Sequence, residues 1–168
     1  MVVPPLTPLA AAALRVGEPE RILEVECGEG EAALFLAREF PRARVRAVDR
    51  DEHAIRRATS RVGLDPEGRI AFKAGAPGDL PFPDGLFDLV VAVDAAPDLA
   101  EAARVLRPGG RLLRVDTRRR SAPGGLRGWL GERRASRAGF GAVESEVAGE
   151  GSFRLVGLLG EGAPGDAV

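Results

Sequence analysis

Gly28 and Gly30 stand two residues apart where an apolar run, Arg21-Ile22-Leu23-Glu24-Val25, gives way to a helix-forming one, Glu31-Ala32-Ala33-Leu34-Phe35-Leu36-Ala37. A glycine in such a turn supplies positive φ at little steric cost and lets a ligand approach the backbone closely. The unpaired amides of the new helix then face whatever lies over the turn. Asp49 closes the next alternating run, Arg44-Val45-Arg46-Ala47-Val48. That puts an acid at the carboxyl end of a strand, the edge where α/β sheets bind ligands. Bare backbone beside a carboxylate is the chemistry of nucleotide recognition.

Two nucleotides compete for the turn. Gly28-Glu29-Gly30-Glu31-Ala32-Ala33 fits the G-x-G-x-x-A form of a dinucleotide site, with Asp49 close to the expected distance downstream. Glu26, Glu29 and Glu31, however, crowd the place of a pyrophosphate, and carboxylates oppose an anion there. A ligand carrying a sulfonium and an ammonium against one carboxylate meets no such opposition. The charge pattern favours S-adenosylmethionine over NAD.

The same stretch resembles motif I of class I S-adenosylmethionine-dependent methyltransferases, an acid and a spacer followed by G-x-G-x-G. Glu24 is the acid, and Gly28 and Gly30 match the second and third glycines. Glu26 replaces the first; at positive φ a glutamate costs about 1–3 kcal/mol of strain. Further on, Gly75-Ala76-Pro77-Gly78-Asp79-Leu80-Pro81-Phe82-Pro83-Asp84-Gly85-Leu86-Phe87-Asp88-Leu89-Val90-Val91 resembles the family's G-D-x-x-x-L-P-F-P-D-G-x-F-D-L-V-V. Glu101-Ala102-Ala103-Arg104-Val105-Leu106-Arg107-Pro108-Gly109-Gly110-Arg111-Leu112 is similar to the helix-turn-strand that follows it. The resemblance spans residues 21–159.

It implies S-adenosylmethionine as cofactor, held by Glu24, Glu26, Cys27, Gly28, Gly30, Asp49, Arg50, Gly75, Ala76, Pro77 and Asp94. Asp49 would accept the ribose hydroxyls; its other reading, a helix N-cap, can be filled by Asp51. Ala76 stands where the family has an acid for the adenine amino group, a loss of roughly 1–3 kcal/mol of affinity. Backbone around Ala76 and Pro77 is then left to frame the ring. Asp94 lies just past the fourth strand, where the family places substrate or catalytic groups, and can serve as base or orienting group. Its plainer reading is a strand-end cap. The family's N-methyltransferase and metal-dependent signatures are absent around Asp94-Ala95-Ala96-Pro97, and the segment before Glu101 is short. A small-molecule acceptor in an open site fits this, as does a site completed in a homodimer. A non-catalytic ligand-sensing or interaction module fits it too.

The elements that position these residues follow from periodicity. Strands are predicted at 21–25, 44–49, 70–74, 87–93, 111–115, 141–147 and 153–159. Helices are predicted at 30–40, 51–62, 98–106 and from the 121–125 loop to 138. Alternation of strands and helices predicts an α/β fold. With the resemblance it becomes a doubly wound, Rossmann-like three-layer sandwich, whose seven-stranded, mostly parallel sheet has a C-terminal antiparallel strand. At 168 residues the chain suits one domain, 1–168, with a helical extension over 1–17 and a frayed tail over 160–168. Thr7 is the predicted cap of a helix running to Val16, with Pro8 in its first turn.

A net charge of −1 gives no sign of a nucleic-acid binder, and no stretch has the length of a membrane span. The single cysteine, Cys27, excludes an internal disulfide and fits a cytoplasmic protein. His53 is the one histidine, so no metal site is predicted. Arg118-Arg119-Arg120 with Arg127, Arg133, Arg134 and Arg137 is the basic concentration, read as a solvated face or a phosphate-binding surface. Trp129 there either covers the acceptor or docks its helix.

Overall fold

The computed structural model describes residues 6–63, 65–118 and 132–160. In chain order it forms α1 (Thr7–Ala13), β1 (Arg21–Val25), α2 (Glu31–Glu39), β2 (Arg44–Asp49), α3 (Glu52–Val62) and β3 (Ile70–Ala74). Then follow β4 (Phe87–Val93), α4 (Leu99–Val105), β5 (Leu106–Asp116), α5 (Glu132–Arg137), β6 (Phe140–Ala148) and β7 (Gly151–Leu158). The sheet order is β3-β2-β1-β4-β5-β7-β6. β1 pairs in parallel with β2 and β4, and β5 with β4, whereas β7 runs antiparallel to both β5 and β6. This is the predicted α/β sandwich.

The central strand shows why the layers form. Successive side chains of a strand point to opposite faces, and β4 is apolar at nearly every position. Leu89 and Val91 enter one core with Ile22, Val45 and Leu113; Val90 and Ala92 enter the other with Leu23, Val48 and Leu112. Leu9 and Ala12 of α1 and Ala33 and Leu36 of α2 cover the first face. Ala102 and Val105 of α4 and Ala135 of α5 cover the second. A strand buried on both sides belongs in the middle of a parallel sheet.

Two local expectations differ. α1 has Leu6 at its N-cap and no side-chain cap bond, so Thr7 is the first helical residue and not the cap. The helix ends at Ala13, short of Val16, because its last turn tightens to Leu14 N–H donating to Ala11 O and Arg15 N–H donating to Ala12 O. The turn at Pro108-Gly109-Gly110 is absorbed into β5: Phe87 pairs with Leu106 and Leu89 with Arg111, leaving the turn residues as a bulge. The expected 121–125 loop, Arg119, Arg120, Arg127, Trp129 and the tail beyond residue 160 lie outside the described residues.

Arg104 of α4 fastens the loop before β4. Its guanidinium donates to Leu80 O, Phe82 O, Asp84 Oδ1 and both oxygens of Glu101, while Glu101 Oε2 accepts the Leu80 amide. Those bonds, led by Arg104, hold the Glu101 carboxyl down at about 2.

The two turn glycines do different work. Gly30, at φ +85, sits under Phe72, and a Cβ there would lie 2.7 Å from the ring and 3.3 Å from Ala58 Cβ. Gly28, at φ +54, has nothing within 4 Å of such a Cβ. Gly30→Ala therefore combines left-handed strain with overpacking and should cost about 2–4 kcal/mol in urea unfolding. Gly28→Ala should cost only about 1–2 kcal/mol. Equal losses at the two positions would contradict this packing.

Candidate functional site

The order of the strands sets the place. From β1 the chain proceeds outward to β2 and β3; from β4 it proceeds the other way to β5. The carboxyl ends of β1 and β4, which pair Val25 with Ala92, flank the point where the winding reverses. Such a point is where open α/β sheets bind ligands. The described non-glycine residues with positive φ are Glu26 at +53° and Asp94 at +52°. Each is the residue immediately after one of these two strands. Strained residues of this kind persist where the surrounding structure over-determines them, and they gather at functional sites.

Around Glu26 the turn is tied down on one side and open on the other. The Cys27 amide donates to Val48 O, and the Gly28 amide donates to Asp49 Oδ2 at 2.8 Å. Asp49 Oδ1 accepts the Asp51 amide, and Asp49 O accepts the Gly75 amide. Asp51, not Asp49, is the N-cap of α3, accepting from the His53 amide. A carboxylate has about four acceptor positions, so Asp49 keeps capacity for ligand hydroxyls while organising the turn.

The electrostatics differ from the sequence expectation. The three glutamates set against a pyrophosphate each have an arginine partner: Glu26–Arg50 at 2.6 Å, Glu29–Arg57 at 2.7 Å and Glu31–Arg61 at 2.6 Å. Arg50 thus turns to Glu26. The acids at the turn without a cation partner among the described residues are Asp49 and Glu24. Glu24 is buried, at 2% exposure, and its Oε2 has no hydrogen-bond partner. Burial first, and then the charge of Glu31, push its carboxyl up to about 8, while the Ala33 amide pulls the other way. A buried acceptor with no donor is uncommon in a native fold. Gly28, by contrast, is open above the turn, with nothing within 4 Å of an added Cβ. Burial, with Glu24 and Asp49 nearby, drives the Cys27 thiol far up, so it stays protonated.

Across the crevice, Asp94 is clamped to the end of β5. Its Oδ1 accepts the Thr117 amide at 2.8 Å, its Oδ2 accepts the Thr117 hydroxyl at 2.6 Å, and its own amide donates to Val115 O. Asp98, not Asp94, caps α4, accepting from the Glu101 amide. Thr117 is buried, and its only signal in the sequence is a threonine just after the fifth strand. Gly75, Ala76 and Pro77 leave β3 beside Asp49, and a bridge pairs Ala76 with Asp79, whose amide donates to Ala76 O. The Ala76 position thus has an exposed acid as its strand partner. His53 lies apart on α3, against Arg56. Among the described residues no cluster of three or more metal-ligating side chains is present.

Comparison with known proteins follows this geometry. Residues 22–110 match the family described as Methyltransferase domain. A 27-O-demethylrifamycin SV methyltransferase of Amycolatopsis mediterranei is 33% identical over 166 residues, covering 94% of this chain and 61% of that protein. A fatty-acid O-methyltransferase of Mycolicibacterium smegmatis is 41% identical over 113 residues, covering 61% of this chain and 39% of that protein. The chain thus spans 61% and 39% of the length of these two curated relatives, less than two thirds of either. A Haloferax volcanii methyltransferase-activator complex superimposes with TM-score 0.75 at 18% identity, over 92% of this chain and 90% of that one.

Glu24 makes a pH prediction. Its folded value, about 8, lies above the ordinary 4.5, so the folded state binds the extra proton. The stability this contributes is fully present below about pH 4.5 and is lost as pH rises through about 8. Glu24→Gln should remove that fall: relative to the wild type, the variant gains stability from pH 5 to 9 in denaturant titrations. Parallel pH profiles for the two proteins would contradict the assignment.

Proposed function

The chain belongs to the methyltransferase-domain family, and from that premise we propose that it is an S-adenosylmethionine-dependent methyltransferase acting by direct transfer on a small-molecule acceptor. The observation that carries the proposal is the pair of left-handed residues, Glu26 and Asp94, flanking the reversal point beside an open Gly28. When bound, S-adenosylmethionine supplies a methyl group on a sulfonium, already activated for transfer.

The chain's own residues then bind, orient and exclude. Gly28 leaves the turn bare, so a ligand lies directly on the backbone. Asp49 offers its remaining acceptor positions to ribose hydroxyls from a carboxylate already fixed by the Gly28 and Asp51 amides. Glu24, protonated below about pH 8, leaves Asp49 as the acid at the turn that can face a cationic ligand. The backbone of Gly75, Ala76 and Pro77 frames the adenine, with Asp79 brought beside it by the Ala76 bridge. Asp94, held by Thr117, gives the crevice a rigid far wall. With the donor activated, alignment of the acceptor is what remains for the protein to provide. The names of the two relatives, one a fatty-acid and one a rifamycin-type O-methyltransferase, support a small-molecule acceptor. No described helix is long and apolar enough to cross a membrane.

The substitution of Ala76 for an acid also favours a second reading, a non-catalytic ligand-sensing or interaction protein on the same fold. Transfer of labelled methyl to a panel of small acids, phenols and alcohols separates them. Turnover on any acceptor is the expected result; donor binding with no turnover on any would leave the sensing reading. Asp49→Ala should weaken S-adenosylhomocysteine binding by roughly tenfold or more. Unchanged affinity would remove Asp49 from the site.

A further inference from the structure

An open surface groove, a cavity of about 540 Å³, lies between residues 96–100, which lead from β4 into α4, and the end of α5. None of the turn residues lines it. Its size suits a small organic ligand, for which pockets run from about 300 to 1,000 Å³. The α5 wall carries Arg134 and Arg137. Three residues apart, they share a helix face. Both are exposed, and neither has an acid partner among the described residues. The arginines over the glycine turn, Arg50, Arg57 and Arg61, are by contrast all paired. The opposite wall is largely apolar, with Pro97 and Leu99, and Asp98 has one carboxylate oxygen engaged by the Glu101 amide. Two arginines against one aspartate leave one net positive charge in the lining.

We propose that this cavity binds the carboxylate of the methyl acceptor, a small acid whose charged end lies on Arg134 and Arg137 and whose apolar body lies against Pro97 and Leu99. Planar guanidinium forks match carboxylate geometry, and unpaired ones are available to do so without first breaking an ion pair. One net charge suits a monoanion; a dianionic phosphate would add repulsion from Asp98. Its lining begins two residues beyond Asp94, in the segment that leaves the carboxyl end of β4. This rests on the methyltransferase reading for the word acceptor, but not for the binding of the acid.

Calorimetric titration of the full chain tests it, with octanoate, octanol and octyl phosphate as probes and S-adenosylhomocysteine titrated separately. Octanoate should bind the wild type at least about tenfold more tightly than octanol. Arg134→Gln combined with Arg137→Gln should abolish that preference while leaving S-adenosylhomocysteine affinity unchanged. Ala100→Leu, which narrows the cavity without touching either arginine, should weaken octanoate by another route. Equal binding of octanoate and octanol to the wild type overturns the proposal, as does a preference that survives the double substitution. Tighter binding of octyl phosphate than of octanoate overturns the carboxylate assignment. Octanoate preference without S-adenosylhomocysteine binding would sink the donor reading alone; the reverse would sink the cavity alone.

Discussion

The hydrogen bond from the Gly28 amide to the Asp49 carboxylate is the constraint on which the site depends. One acid at the end of β2 fixes the glycine turn after β1, receives the Asp51 amide at the entry to α3 and, through its carbonyl, the Gly75 amide at the exit of β3. Three chain segments that would otherwise drift independently are thereby set against one another. A carboxylate accepting backbone amides can do this because charge-assisted bonds are about twice as strong as neutral ones. The same carboxylate is the one proposed to take the ribose hydroxyls, so the organising role and the proposed binding role fall on one residue. Preorganisation of that kind is what lets a turn recognise a ligand without rearranging first.

Strain and charge are distributed around this hub in a consistent way. Glu26 and Asp94 hold left-handed conformations after neighbouring strands, each secured by a specific partner, Arg50 and Thr117 respectively. The surface glutamates of the turn are neutralised by arginines, pairs worth roughly 0–1 kcal/mol each at this exposure. Their pairing leaves Asp49 as the acid facing a ligand at the turn, since Glu24 is protonated below about pH 8. The α5 wall lies apart from the turn and carries Arg134 and Arg137, which have no acid partner among the described residues.

Much of the architecture was legible in the residues because it follows from local rules. Period-two alternation placed β2, and the near-continuous apolar run at 87–93, broken by Asp88, placed β4. Gly63 caps the end of α3, and Pro41 follows the C-cap of α2, both of them residue types that stop a helix. Membership of the family could be read from the order of its motifs. The pairings between segments distant in sequence were not legible. Nothing local indicates that Arg50, Arg57 and Arg61 would reach back some 24 to 30 residues to the turn glutamates. The charge argument built on Glu26, Glu29 and Glu31 therefore loses its footing, because all three are paired with arginines. Thr117 was invisible for the same reason, since its meaning comes from Asp94 across a strand pair. The left-handed φ at Glu26 was foreseeable only through the family's glycine at that position, and Thr7 misled because a capping residue type was one position too late.

Thermal unfolding with and without ligand tests the central claim most directly. S-adenosylmethionine or S-adenosylhomocysteine at a hundred times its dissociation constant should stabilise the fold by about 2.7 kcal/mol. For a chain of this size that is an upward shift of roughly 5–10 °C, with none from NAD. A shift with NAD larger than with either adenosyl ligand, or no shift with any of them at millimolar concentration, would contradict the account.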